Sequence, residues 1–396
     1  MIKILFVMTN LRKGGIATSL VNLLNFLSLN ENYDLTLYLF DYNLNFDYSL
    51  SPKIKIIFGN KYSSLLSNSI KDSKKFGVSF YILRNLLSLF AFFFTYKLAY
   101  QYLFTKFPIA NDYYDIAVSS SQSSPLNRLY GGCNEFLISK IKSRKYVTFV
   151  HTDISKHKIN TSYTHNLMKK FNFIVTVSNS LKKNLQSILT NIPDYKFFVI
   201  ENLHNLDNYS DYKPIIDKTP SNTINILTVS RASKEKGLNR LLKVSKLLKK
   251  EKIKFNWIVI GDGSYLTKYI RLTKKFKISD VLHFIGKKDN PIPYYIKTDL
   301  FVLPSNYEGA PMVLEEAKIF GCYLLSTNTI SANEIVGNDY GKVCKISTND
   351  IFLSIIDIIN NKKYINFFGT QIHKDFILSL KKRKEDVLKI IYHFND

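Results

Sequence analysis

Cysteine is scarce: the 396 residues contain three, at positions 133, 322 and 344. Their separations fit no metal site, and so few thiols suit a reducing compartment. No Gly-x-Gly-x-x-Gly occurs, which excludes the dinucleotide fingerprint. Long apolar runs are also missing. The uncharged stretch between Arg84 and Lys97 is 12 residues, short of the roughly 20 that span a bilayer. There is no low-complexity tract and no internal repeat. Acidic residues are few, 31 against 55 basic, for a net charge of +24. Such a field attracts nucleic acid, anionic membrane or phosphorylated ligands, and composition alone does not choose among them. The basic residues are spread along the chain and no nucleic-acid motif is present, which counts against nucleic acid.

What is there suits large cores. Hydrophobic residues make up 46% of a chain long enough for two domains. The opening MIKILFVMTN reads as a buried strand; it is too short for a signal peptide and runs straight into a loop. Further strand runs fall at Leu35–Phe40, Ile54–Phe58, Ile116–Ser120, Tyr146–Val150, Phe173–Val177 and Phe198–Ile200. A polar stretch from Glu201 to Pro220 reads as a linker. A second series follows at Ile224–Val229, Trp257–Ile260, Val281–Ile285, Leu300–Pro304 and Tyr323–Ser326. Strands alternating with helices imply mostly parallel sheets covered on both faces, an α/β fold of two Rossmann-like, doubly wound domains. We place them at 1–205 and 206–375, with a last helix at about 376–396 returning to the first. After Gly341 only helices are expected.

Several stretches carry candidate chemistry. Thr9–Gly15 joins the first strand to a helix at Ile16–Leu27 through a glycine pair, a turn that allows close backbone approach to a phosphate or is simply tight. His151-Thr152-Asp153 closes a strand at the end where open α/β sheets put ligands. Ser178 reads as a helix N-cap. The segment Phe76–Phe107 is apolar nearly all round; a core helix, an interfacial helix and a span compete, and aromatics beside Lys and Arg favour the interface. In the second half, Arg231 ends a strand and Lys236-Gly237 opens a helix. A rigid guanidinium fork and a flexible ammonium there would neutralise a diphosphate, or would be plain surface charge. Gly261-Asp262-Gly263 makes a sharp turn after another strand. The run Lys381–Lys384 reads as a solvated face or a membrane contact.

The densest stretch is Ser305–Gly321, SNYEGAPMVLEEAKIFG. Pro311 suits the first helical turn and Gly321 the position just past the helix end. Val313, Ala317 and Phe320 share an apolar face, with Glu316 at its edge and Glu315 turned to solvent. The loop Glu308-Gly309-Ala310-Pro311 would present backbone N–H groups at the helix N-terminus, an anion or sugar site. Glu316 would accept from ligand hydroxyls.

Together these residues resemble the GT-B, family-4-type retaining glycosyltransferases. The pattern S-x2-EG-x-P-x2-LEEA-x3-G matches that family's Glu-x7-Glu motif, with Thr327 and Asn333-Glu334-Ile335-Val336 after it. Ala310, Met312 and Tyr323 depart from the usual filling. The resemblance covers Ser230–Gly341 well and the first half loosely. It implies two domains facing across a cleft and transfer of a hexose from a nucleotide sugar, a UDP-sugar favoured. The acceptor would be a saccharide, lipid-linked in surface polysaccharide (capsule, O-antigen) assembly. It also implies roles. Arg231 and Lys236 would take the departing charge, Glu316 the ribose, and Glu308 a place by the sugar. The amides of Gly309, Ala310, Pro311-Met312 and Val313 would meet its hydroxyls, with His151 and Gly15 contributing from the first domain. Asp-x-Asp is absent, so no metal is expected. Charge, the aromatic segment and the lack of a span suggest a cytoplasmic enzyme on the inner membrane face. The rival readings are a basic nucleic-acid-binding protein and a silent GT-B protein that binds nucleotide without turnover.

Overall fold

A computed structural model describes the whole chain apart from residues 13, 43–47, 69, 71, 94–95, 109–111, 122–128, 158–160, 207–222, 338–339, 362–368 and 396, and the side chains of 369–371. Most of the linker reading, from residue 207 onward, therefore lies outside the described residues, as does Lys13 of the glycine loop.

The chain forms two compact units, Met1–His204 with Arg383–Asp396, and Asn205–Lys382. The first holds β1 (Ile2–Met8), β2 (Tyr33–Leu39), β3 (Lys55–Phe58), β4 (Tyr113–Ser119), β5 (Lys142–Val150), β6 (Phe173–Thr176) and β7 (Phe197–Val199). They form one parallel sheet in the order β3-β2-β1-β4-β5-β6-β7. The second unit holds β8 (Ile224–Val229), β9 (Phe255–Ile260), β10 (Leu282–Phe284), β11 (Leu300–Leu303), β12 (Tyr323–Thr327) and β13 (Gly341–Cys344). These too are parallel, ordered β10-β9-β8-β11-β12-β13. Every strand expected from the sequence is present, β8 with the same ends.

From Ile4 to Met8 β1 is an unbroken apolar run because it is central, with Ile4, Leu5, Phe6 and Val7 fully buried under helices on both faces. One face packs on the helix Gly15–Leu27 and on Val387, Ile391 and Phe394 of the last helix, Gly369–Asn395. The other face is aromatic: Tyr38 and Phe40 meet Phe136, with Phe104 and Phe107 beside it. In the second unit Trp257 is fully buried, its indole N–H donating to the Thr228 hydroxyl at 3.1 Å.

Two expectations are corrected. The tail after Gly341 is not all helical, because β13 extends the second sheet beyond β12. Its four residues are too few to show a period, and Gly341 is needed because a Cβ would lie 2.4 Å from the Leu324 carbonyl oxygen. The run at Lys381–Lys384 is not uniformly solvated. Arg383 is mostly buried, bonded to Glu201 at 2.6 Å and donating to the Asn202 carbonyl at 2.8 Å. Ser178 does cap its helix, accepting from the Leu181 N–H.

Candidate functional site

In the second sheet β8 and β11 are neighbours, yet the strands that follow them run outward in opposite directions. The loops leaving their carboxyl ends diverge, and such a switch point is where open α/β sheets bind ligands. The two loops there are residues 230–238 and 304–311.

They are sewn together. The Asn306 N–H donates to the Glu235 carbonyl at 2.8 Å, and the Asn306 side chain to the Lys234 carbonyl at 3.0 Å. Arg240 donates to the Pro304 carbonyl at 2.8 Å and bonds the Asn306 side chain as well. Gly237 is left-handed at φ 64°, and a Cβ there would sit 2.1 Å from the Pro304 oxygen. Only glycine admits that approach.

Across this seam Lys236 Nζ donates to both Glu308 oxygens, at 2.7 and 2.9 Å. The Ser305 hydroxyl donates to Glu308 Oε1 at 2.6 Å. Lys236 is 23% and Glu308 10% exposed, so the pair is partly screened from water but reachable. Arg231, on the same loop, is exposed. Glu235 interacts electrostatically with both cations. Burial would raise its carboxyl pKa, but the Ser233 hydroxyl, its own backbone N–H, Arg231 and Lys236 outweigh burial and hold it low.

The loop 304–311 leads into the helix Met312–Ile319. Pro311 stands just before its first residue, without a side-chain cap on the N-terminus, and the Ser331 hydroxyl fixes the Gly309 carbonyl. Gly321, at φ 66°, ends the helix as expected. Glu316 is half-buried and accepts from the Tyr295 hydroxyl at 2.8 Å. Tyr295 is itself held between Phe301 and Phe320. Glu315, expected in solvent, is 4% exposed. The reason is that this short helix packs on β11, β12 and the helix Ala332–Val336, so more than one stripe is covered.

Behind these loops the turn Gly261-Asp262-Gly263 buttresses the 231–232 backbone. Ala232 N–H donates to the Asp262 carbonyl at 2.9 Å, and Gly261 N–H to the Gly286 carbonyl at 3.0 Å.

The structure thus brings Lys236, Glu308 and Ser305 into direct contact, with Arg231, Gly309, Ala310, Pro311, Met312, Val313 and Glu316 on the same two loops and helix. Tyr295, Ser305 and Ser331 were not singled out from sequence. Ser305 stood inside the quoted pattern, but nothing in the chain links Tyr295 to a glutamate 21 residues on.

Gly15 and His151 belong to the first unit. Gly15 opens its helix; Gly14, before it, is extended at φ 171° and its N–H meets the Tyr48 hydroxyl at 3.2 Å. Arg12 anchors that loop to Asn68, with Asp41 and Asp72 each 3.8 Å away. His151 follows β5 and stacks on Phe149 at 5.8 Å. Burial holds its imidazole down at about 4 against an ordinary 6.5, so the ring is neutral at physiological pH. The unfolded chain therefore takes up a proton that the folded one refuses. We expect the first unit to lose up to roughly 3 kcal/mol from this group as pH falls through 6.5 and past 4, the loss levelling off only below the folded value of about 4. Thermal unfolding of the chain and of His151→Asn across that range checks this; the variant's curve should be flatter. Among the described residues no three His, Cys, Asp or Glu side chains gather as a metal site.

Residues 213–374 match the family model of glycosyl transferases group 1. The matched residues lie within the second unit. The Escherichia coli putative colanic acid biosynthesis glycosyltransferase WcaL is 25% identical over 210 residues, 49% of this chain and 50% of that protein. The chain spans half or less of the length of the curated relatives it matches. Sucrose-phosphate synthase of Thermosynechococcus elongatus superposes with a TM-score of 0.70 at 12% identity, covering 99% of both chains. Anabaena HepE, in complex with UDP and glucose, gives 0.65 at 14% identity, over 99% of this chain and 100% of that one. At such identities these likenesses establish the fold, which is GT-B. The Lys236–Glu308 seam lies inside the residues that match that family model, and so do the residues named on its two loops.

Proposed function

We propose that this protein transfers a hexose or hexose derivative from a nucleotide sugar, a UDP-sugar favoured, to a saccharide acceptor. The observation that carries the reading is the Lys236–Glu308 pair at the switch point, with Arg231 exposed beside it. A diphosphate entering there would meet a preformed ammonium, a guanidinium and the N-terminus of Met312–Ile319. All three stabilise charge as it departs. Glu316, oriented by Tyr295, would accept from the ribose hydroxyls. Glu308 and the Gly309–Val313 backbone would position the sugar.

On this reading the acceptor oxygen attacks on the side from which the diphosphate leaves, so the anomeric configuration is retained. It forms the new bond to the anomeric carbon as the old bond breaks, and its proton passes to the departing phosphate oxygen. Two cations and a helix end take over the work of a divalent ion, so no metal is needed. The colanic acid relative supports a place in surface polysaccharide assembly; the acceptor in this proposal is a lipid-linked saccharide at the inner membrane face.

The test is thermal shift with UDP, GDP and ADP in EDTA. A ligand at about 100 times its Kd stabilises by roughly 2.7 kcal/mol. We expect a clear shift with UDP, and turnover of the matching sugar series that survives EDTA. No shift with any diphosphate would sink the donor site, and turnover lost in EDTA would sink metal independence.

A further inference from the structure

The helix Val78–Phe93 is packed the wrong way round for a water-facing surface. Its buried residues are Arg84 and Ala91. Arg84, 4% exposed, donates to the Leu129 carbonyl and, at 3.0 Å, to the Ser88 hydroxyl. Val78, Ile82, Leu86, Leu89 and Phe93 are exposed, Leu86 at 59% and Phe93 at 72%. At about 100° per residue these five fall within a stripe roughly 80° wide, and Arg84 and Ala91 lie about opposite it. Scattered exposed leucines are ordinary, but a continuous apolar stripe marks a surface that something covers. The next helix, Tyr96–Phe104, adds exposed Leu98 and Tyr102.

Charge says what covers it. Between Asp72 and Asp112 the sequence holds no acidic residue, while Lys74 and Lys75 stand exposed at the helix start and Lys106 beyond its end. A second copy would bring the same lysines and another net +24 against them. An anionic surface gains from both features. Among the described residues no helix is long and apolar enough to cross a membrane, so the helix would lie in the interface plane.

We propose that the Val78–Phe93 stripe seats on an anionic lipid bilayer, its apolar side chains below the headgroups and Lys74 and Lys75 among them. Arg84 acts from the other side, clamping the helix to the unit so that the stripe points outward. The inference rests on the peripheral-membrane part of the proposed function, not on its donor chemistry.

The experiment is sedimentation of the full chain with phosphatidylglycerol-containing vesicles, and with phosphatidylcholine vesicles as control. We expect binding to the anionic vesicles, weakened at least about tenfold in Leu86→Ser/Phe93→Ser and about tenfold in Lys74→Glu/Lys75→Glu. Both variants replace exposed side chains, so their thermal unfolding should match the parent. In Phe93→Trp the new indole should shift to the blue with anionic vesicles, above the constant signal of buried Trp257. No binding by the parent, equal binding by the variants, or no spectral shift would overturn the proposal. So would an apolar variant that breaks a dimer but still binds vesicles, which would assign the stripe to a second copy. Vesicle binding in a chain that ignores every diphosphate would support the stripe and sink the donor reading.

Discussion

Lys236→Ala should lower turnover by a factor of about 100 to 1,000, the usual loss when one preorganised charge is removed from a developing anion. Two effects add. The diphosphate loses the ammonium that neutralises it, and Glu308 is left as a bare carboxylate where the ligand's charge must arrive. In the parent, Glu308 is balanced at 2.7 and 2.9 Å by Lys236 and at 2.6 Å by Ser305; in the variant only the hydroxyl remains. Stability should change little, because the pair is partly exposed and such pairs contribute about 0–1 kcal/mol. The measurement is steady-state kinetics with the donor found by thermal shift, alongside UDP affinity. Glu316→Ala is the companion, with a loss of similar size carried more by donor affinity. Near-normal turnover in both variants would remove the site assignment.

Gly261→Val should destabilise the second unit by about 3–5 kcal/mol and abolish nucleotide binding with it. At φ 144° a side chain is strained wherever it points, and here the Cβ would lie 1.9 Å from the Ser230 carbonyl oxygen. Backbone strain and overpacking each contribute about 1–3 kcal/mol. The displaced strand end is the one that launches Arg231 and Lys236, so damage to the fold is damage to the site. Gly14→Ala is the control: at φ 171° its nearest neighbour, the Arg12 carbonyl oxygen, would be 3.8 Å from the added Cβ. That change should stay within about 0.5 kcal/mol. Thermal unfolding of both variants with and without UDP decides the matter. A Gly261→Val chain as stable as the parent would show that the turn relaxes without cost.

Much of this was legible in the chain because it is local. Apolar runs such as Ile2–Met8 and Ile224–Val229 state their own burial, and strands alternating with helices leave parallel sheets as the economical way to cover both faces. The Ser305–Gly321 stretch shows its helix start, its helix end and its two acidic residues within one short span. Ser178 announces its cap in the same way.

Other features have partners far along the chain, and only tertiary structure supplies them. Glu308 finds Lys236 across 72 residues, because β8 and β11 are adjacent in the sheet. Glu316 finds Tyr295, Arg383 finds Glu201, and β13 finds β12 by the same kind of long-range closure. A helical wheel assumes one covered face, so it put Glu315 in water; the folded unit covers several faces of that helix and buries it. At Val78–Phe93 the sequence is apolar nearly all round, so it does not say which side the protein would take. Arg84 decides that, by bonding Leu129 across 45 residues and turning the apolar side out.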